Sequence, residues 1–174
     1  MNYLKIHLEG VQEYFSAPYD TAHKEVYPTE TAPTVNALVG MIGCAMGLPR
    51  GHVMLDDMKE RLEFKYVSTK RNRPLVKAEF RVTSLPNNDA RFTKMDGSPD
   101  SRGQIKDIEF IYDAAYDVYI GGDDATLSKI HDAFAHPYWP VYIGRKQCVP
   151  SKPIVTKIVE IISEEEMPNV HDCP

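Results

Sequence analysis

The residues best suited to chemistry in this chain are basic, and they concentrate in two places. Gly144-Arg145-Lys146 stands between Pro140 and Pro150, so its backbone is held without belonging to a strand ladder. Adjacent Arg and Lys in a constrained loop can clasp phosphates and a base edge, one as a planar fork and the other as a point charge. A solvated surface pair would have the same sequence. The second place is Lys70 to Lys106, where nine basic residues meet four acidic ones. That segment carries +5 in a chain of net charge −5, which leaves −10 for the remainder. Such segregation points to a polyanion on one side and protein neighbours on the other. Within the segment Arg91, Lys94 and Arg102 accompany Phe92 and Met95, and a hairpin of that kind can wedge between nucleotides. A mobile surface loop would read alike.

A third set, His23, Lys24 and Tyr27, holds a base, a stabiliser and a proton donor for metal-free RNA cleavage, joined only by proximity in sequence. The histidines show no metal spacing, and Cys44, Cys148 and Cys173 form no CxxC pair, which argues against zinc and a disulfide framework. There is no phosphate loop, dinucleotide fingerprint or nucleophile elbow, so no cofactor is called for.

The elements that must position these residues follow from pattern. Tyr3 to Glu9 alternates, with Leu4, Ile6 and Leu8 on one face of a first strand. Gly10 to Pro33 is polar, aromatic and proline-punctuated, and reads as a connection that carries contacts. After Pro33, Thr34 is an N-cap for a helix that runs to Met46 and closes at Gly47. Gly40 and Gly43 inside it each cost about 1 kcal/mol relative to Ala, so something must approach that face closely. Strands are expected at Leu62 to Tyr66, Val76 to Val82, Ile105 to Tyr112 and Tyr116 to Ile120, with a turn-rich excursion from Ser84 to Arg102 and a turn candidate at Asp96-Gly97. Asp123 to Ala135 repeats at helical spacing through Leu127, Ile130 and Phe134. Pro137 to Pro153 is a loop, Ile154 to Ile162 a closing strand, and residues 164–174 a disordered acidic tail. The order β-α-β-β-β-β-α-β gives an α+β, ferredoxin-like (RRM-like) domain over residues 1–163.

At 174 residues, 43% hydrophobic and 26% charged, the chain fits one globular domain with a real core. Its first residues, MNYLKIHLEG, do not make a signal peptide, and no apolar run reaches membrane-spanning length. A soluble, cytoplasmic protein without membrane contact is expected.

Taken together these motifs resemble the CasD (Cas five) family, the small RAMP-superfamily subunit of type I CRISPR surveillance complexes (Cascade). Leu8-Glu9-Gly10 with Gln12 resembles the family's opening strand and turn, and Pro33-Thr34 with Ala37 to Ile42, Ala45 and Gly47 its helix. Tyr112 to Tyr116 resembles a further family strand, and His136-Pro137 followed by Ile143-Gly144-Arg145-Lys146, Cys148 and Pro150 its most specific signature. Asn36 stands where Ser or Gly is usual. The resemblance implies a RAMP fold with a projecting β-hairpin thumb at about 84–105. It implies a non-catalytic, type I-E-like subunit that binds the crRNA 5′ handle, caps the backbone filament and contacts the large subunit, with target DNA nearby. Handle contacts would fall on Lys24, Thr34, Asn36, Gly144, Arg145 and Lys146, and thumb contacts on Arg91, Lys94, Met95 and Arg102. Type I-C relatives instead process repeat RNA with a Tyr before the Pro-Thr turn and a Lys-His pair. Tyr27 is one residue off that spacing, and no adjacent Lys-His occurs.

Overall fold

The computed structural model describes residues 1–17, 26–70, 75–78, 107–156 and 160–174. Strand β1 (Asn2–Glu9) is the spine, paired antiparallel along its whole length with β9 (Ala115–Gly122), from Asn2↔Gly122 to Glu9↔Ala115. Strand β6 (Glu63–Ser68) flanks β9 on the far side and β10 (Ile161–Ser163) flanks β1, both antiparallel. Helices α1 (Val35–Met46) and α3 (Asp124–Ala135) make the crossovers. This is the β-α-β-β-α-β pattern of the ferredoxin-like fold, with the sheet running β10-β1-β9-β6.

Both crossover helices start and stop where their sequences direct. Thr34 Oγ1 accepts the Ala37 N–H at 3.2 Å, and Gly47 closes α1 at φ 75°, where a side chain would be strained. Asp123 caps α3 through the Thr126 N–H at 2.9 Å. The helices cover one sheet face, where Leu4, Ile6, Leu8, Val118 and Ile120 bury against Leu38, Ile42, Leu127 and Ile130.

Four differences from the sequence reading stand out. Helix α2 (Val53–Arg61) follows α1, capped by His52 Nδ1 on the Met54 N–H. Leu55 of α2 lies where a Cβ on Gly43 would be, 2.5 Å away, so this glycine admits a neighbouring helix rather than the sheet. The connection after β1 is partly regular: β2 (Gln12–Glu13), β3 (Phe15–Ser16), β4 (Val26–Tyr27) and β5 (Thr29–Glu30) are two-residue strands. Strand β8 (Asp107–Tyr112) gathers β2, β4 and β7 (Leu75–Ala78) into a second sheet, while β3 pairs with β5.

The remaining two differences concern the end of the chain. Ile154 to Thr156 is not strand, although the Ile154 and Glu160 carbonyls accept from His7 and Lys5 of β1. The acidic segment is placed rather than loose. Ser163 and Glu166 close a capping box around a single 3₁₀ turn, and β11 (His171–Asp172) adds to the edge of β6. Cys173 N–H donates to the Phe64 carbonyl, and Val35 N–H at the start of α1 donates to the Pro174 carbonyl at 2.9 Å. The expected thumb at 84–105 lies outside the described residues. Among the described residues no helix is long and apolar enough to cross a membrane.

Candidate nucleic-acid interface

The loop carrying Arg145 is fastened onto the first turn of the chain. Gly10 bridges Pro150, Ser151 N–H and Oγ both donate to the Glu9 carbonyl, and Gln12 Nε2 donates to the Gln147 carbonyl. Tyr14 N–H donates to the Ile143 carbonyl at 3.1 Å, and the loop closes on itself through Cys148 N–H to the Arg145 carbonyl and Ile143 N–H to the Cys148 carbonyl. Gly144 has φ 95°, and a Cβ there would overlap the Tyr14 carbonyl oxygen. The position therefore needs glycine twice, for conformation and for space.

This scaffold fixes Arg145. Its guanidinium lies 4.4 Å from the Tyr14 ring centroid and 5.1 Å from that of Tyr27, both within cation–π range. Arg145 Nε is buried without a hydrogen-bond partner among the described residues. Such an atom is costly unless something else meets it. Beside it opens a cleft of about 660 Å³, walled by one face of α1 and by the loop. Asn36, Gly40 and Cys44 line it at i, i+4 and i+8 of α1, and Trp139, Tyr142 and Arg50 complete the rim. Gly40 is exposed there and a Cβ on it would meet nothing within 4 Å among the described residues, so none of their groups accounts for this glycine.

The predicted site residues divide accordingly. Asn36, Gly144 and Arg145 meet at the cleft, with Asn36 and Gly144 exposed and Arg145 half-buried. Lys146 is exposed on the same loop but does not line the cleft. Thr34 is buried and its hydroxyl is taken up by the cap, while the Val35 amide is met by Pro174. The start of α1 therefore presents fewer free donors than its sequence suggests. Lys24, Arg91, Lys94, Met95 and Arg102, together with His23, lie outside the described residues. Tyr27 is in the cleft. Among the described residues no cluster of three or more His, Cys, Asp or Glu side chains could hold a metal ion.

Sequence reasoning missed Glu13. It is fully buried, and among the described residues neither carboxyl oxygen has a partner at hydrogen-bond distance. Burial pushes its pKa up to about 8, partly offset by the Gly10 amide and the Lys70 charge, so the group is mostly protonated at neutral pH. Glu9, two turns of pleat earlier, behaves oppositely. Lys152 at 2.7 Å and His7 at 3.1 Å hold its carboxyl down at about 2. Nothing in the sequence separates these two glutamates except that β1 alternation ends at Gly10 and a new strand begins.

Comparison with known proteins fits this geometry. The family model described as CRISPR-associated protein (Cas_Cas5) matches residues 3–171, nearly the whole chain. The chain belongs to that family. No curated protein matches it. Among solved structures, a chain titled "CRISPR RNA-guided surveillance complex" superposes with a TM-score of 0.67 at 24% identity, over 87% of this chain and 61% of that one. Another, titled "Crystal structure of Cas protein", gives 0.61 at 23% identity over 90% of this chain and 66% of the other. At those identities the likeness establishes the fold, and this chain spans less than two thirds of either neighbour. In this chain the turn at Leu8 to Gln12 and the Gly144-Arg145-Lys146 loop are one structural unit, joined by the hydrogen bonds at Glu9, Gln12 and Tyr14.

Proposed function

We propose that this chain is an RNA-binding, non-enzymatic subunit of a type I-E-like CRISPR surveillance complex in the cytoplasm, holding the 5′ handle of the crRNA. In that role it caps the backbone filament and contacts the large subunit. The observation that carries the proposal is Arg145: a guanidinium braced by two tyrosine rings, facing a cleft whose described lining contains arginines and no carboxylate. In a chain of net charge −5 that is a local preference for an anion. Membership of the CRISPR-associated family and a fold neighbour from an RNA-guided complex support RNA as the anion. The mechanism is positional. Arg145 and Lys146 neutralise phosphates, and the pinned loop fixes where they do so.

The test is filter binding of crRNA to wild type and to the Arg145→Ala, Lys146→Ala double variant at two salt concentrations. Weaker binding with a shallower salt slope is expected; an unchanged titration would count against the reading. Tyr27 beside Arg145 keeps one other reading in view, metal-independent cleavage of repeat RNA. Site-specific cleavage in EDTA that disappears in Tyr27→Phe would replace the structural role with a catalytic one.

A further inference from the structure

Trp139 is the only tryptophan in the chain, and it is 41% exposed at the cleft rim. A large aromatic left that open is informative when its backbone is fixed, and here it is. Pro137 and Pro140 bracket the segment. Tyr138 N–H donates to the Ala45 carbonyl of α1, and the Cys44 thiol donates to the Pro140 carbonyl at 3.3 Å. The Tyr138 ring occupies the space over Gly47, whose missing side chain makes room for it. Tyr138 and Trp139 meet edge to face, with centroids 5.2 Å apart and planes at 81°. That arrangement leaves at least one face of the indole uncovered by its partner.

We propose that Trp139 is a stacking platform for one unpaired nucleobase, with Gly40 on the cleft floor left bare so that the nucleotide can approach α1. The inference rests on the RNA reading above and deepens it by naming the part of the nucleic acid the cleft receives. Three features select a base over an apolar peptide side chain. The described lining joins aromatic faces to Arg50, Arg145 and Asn36, which are donors for phosphate and for a base edge. It contains no acidic side chain among the described residues, although the chain as a whole is acidic. The arginine beside the aromatics has a buried nitrogen without an acceptor among the described residues. Flat π surface beside fixed cations is how proteins hold single strands with little regard to sequence.

Because Trp139 is unique, its emission reports this site alone. The intact protein is titrated with a randomised single-stranded RNA of roughly eight nucleotides, with the DNA of the same length, and with duplex RNA. Saturable quenching by single strands but not by duplex is expected. Quenching by RNA alone or by both single strands supports the stack and says whether the 2′-hydroxyl is read. Filter binding then compares Trp139→Ala, expected to bind roughly 10-fold or more weakly at unchanged melting temperature, with Trp139→Phe, expected to bind nearly as wild type. If Arg145→Ala weakens binding while Trp139→Ala does not and single strands leave the emission unchanged, the stack is wrong and the RNA reading survives. If neither variant changes binding, the RNA reading fails as well. Quenching by an added protein subunit and not by nucleic acid would reassign the rim to a protein contact.

Discussion

Two polar surfaces of this molecule treat charge in opposite ways. On the sheet face turned from the helices, Lys5 pairs with Asp117 at 3.0 Å, Lys152 with Glu9 at 2.7 Å, and Lys70 with Asp113. His7 bridges Asp117 and Glu9 across β1 and β9. Side-chain hydrogen bonds to Asp117 and Asp113 shift the Lys5 and Lys70 pKa values upward. In the cleft, Arg145 rests on tyrosine rings, and neither it nor Arg50 has a carboxylate partner among the described residues. A cation paired within the fold serves register and packing, whereas one braced by uncharged rings keeps its charge for a ligand. Counting basic residues misses that distinction. Asking what each basic side chain already touches recovers it.

The comparison can be broken or sharpened by substitution. The largest effect should come from Gly144→Ala, where a left-handed backbone and the Tyr14 carbonyl both reject a Cβ. A loss of about 3–5 kcal/mol in denaturant unfolding is expected, with the loop that carries Arg145 lost alongside. A variant as stable as wild type would show that the loop is not tied to the first turn as described. Next is Glu13→Gln. A carboxyl whose pKa is raised by folding destabilises the fold as pH rises from about 4.5 to about 8, and the cost is complete above that. The amide should therefore match wild type at pH 4 and exceed it by on the order of 2–4 kcal/mol at pH 9 in urea titrations. Equal stability at pH 9 would mean the carboxyl is not buried alone.

Smaller effects separate the two surfaces. Lys5→Ala should cost about 0.5–1 kcal/mol and leave RNA affinity untouched, because that charge is already answered by Asp117. A clear drop in RNA binding would erase the contrast between the surfaces. Gly40→Ala should do the reverse, raising stability by about 0.5–1 kcal/mol, since alanine favours the helix and meets no atom of the described residues. It should also weaken RNA binding, because the added methyl stands on the cleft floor. Stability and affinity moving together there would remove Gly40 from the interface.

The regular frame was readable because its signals are long. Eight residues of alternation in β1 and capped stretches of twelve residues in α1 and α3 specify themselves through period and cap. Helix α2 was overlooked under its charged face, although Leu55, Met58 and Leu62 keep helical spacing. The strands between Gly10 and Pro33 are two residues each, too short to carry any period, and are made by partners far along the chain. The acidic tail looked solvated by composition, yet its order comes from backbone bonds and one inserted side chain, Cys173. At the site, the resemblance singled out Asn36, Gly144 and Arg145, which share the cleft. Glu13 and Trp139 escaped because their character depends on what surrounds them, and a single sequence does not state that.

The three cysteines, Cys44, Cys148 and Cys173, are free thiols. Their positions give them another use. Cys44 sits on the cleft wall, Cys148 is buried inside the Arg145 loop, and Cys173 is packed under the tail strand. Burial raises all three thiol pKa values, Cys148 to about 11 and Cys173 to about 12, but Cys148 alone of the three is fully buried, while Cys44 and Cys173 are partly exposed. Labelling rates at these sulfurs therefore act as three separate clocks within one chain. Cys148 times the opening of its loop, whereas Cys44 reports access to the helix wall of the cleft and Cys173 access to the tail, and a ligand in the cleft should slow the first two while leaving the third running.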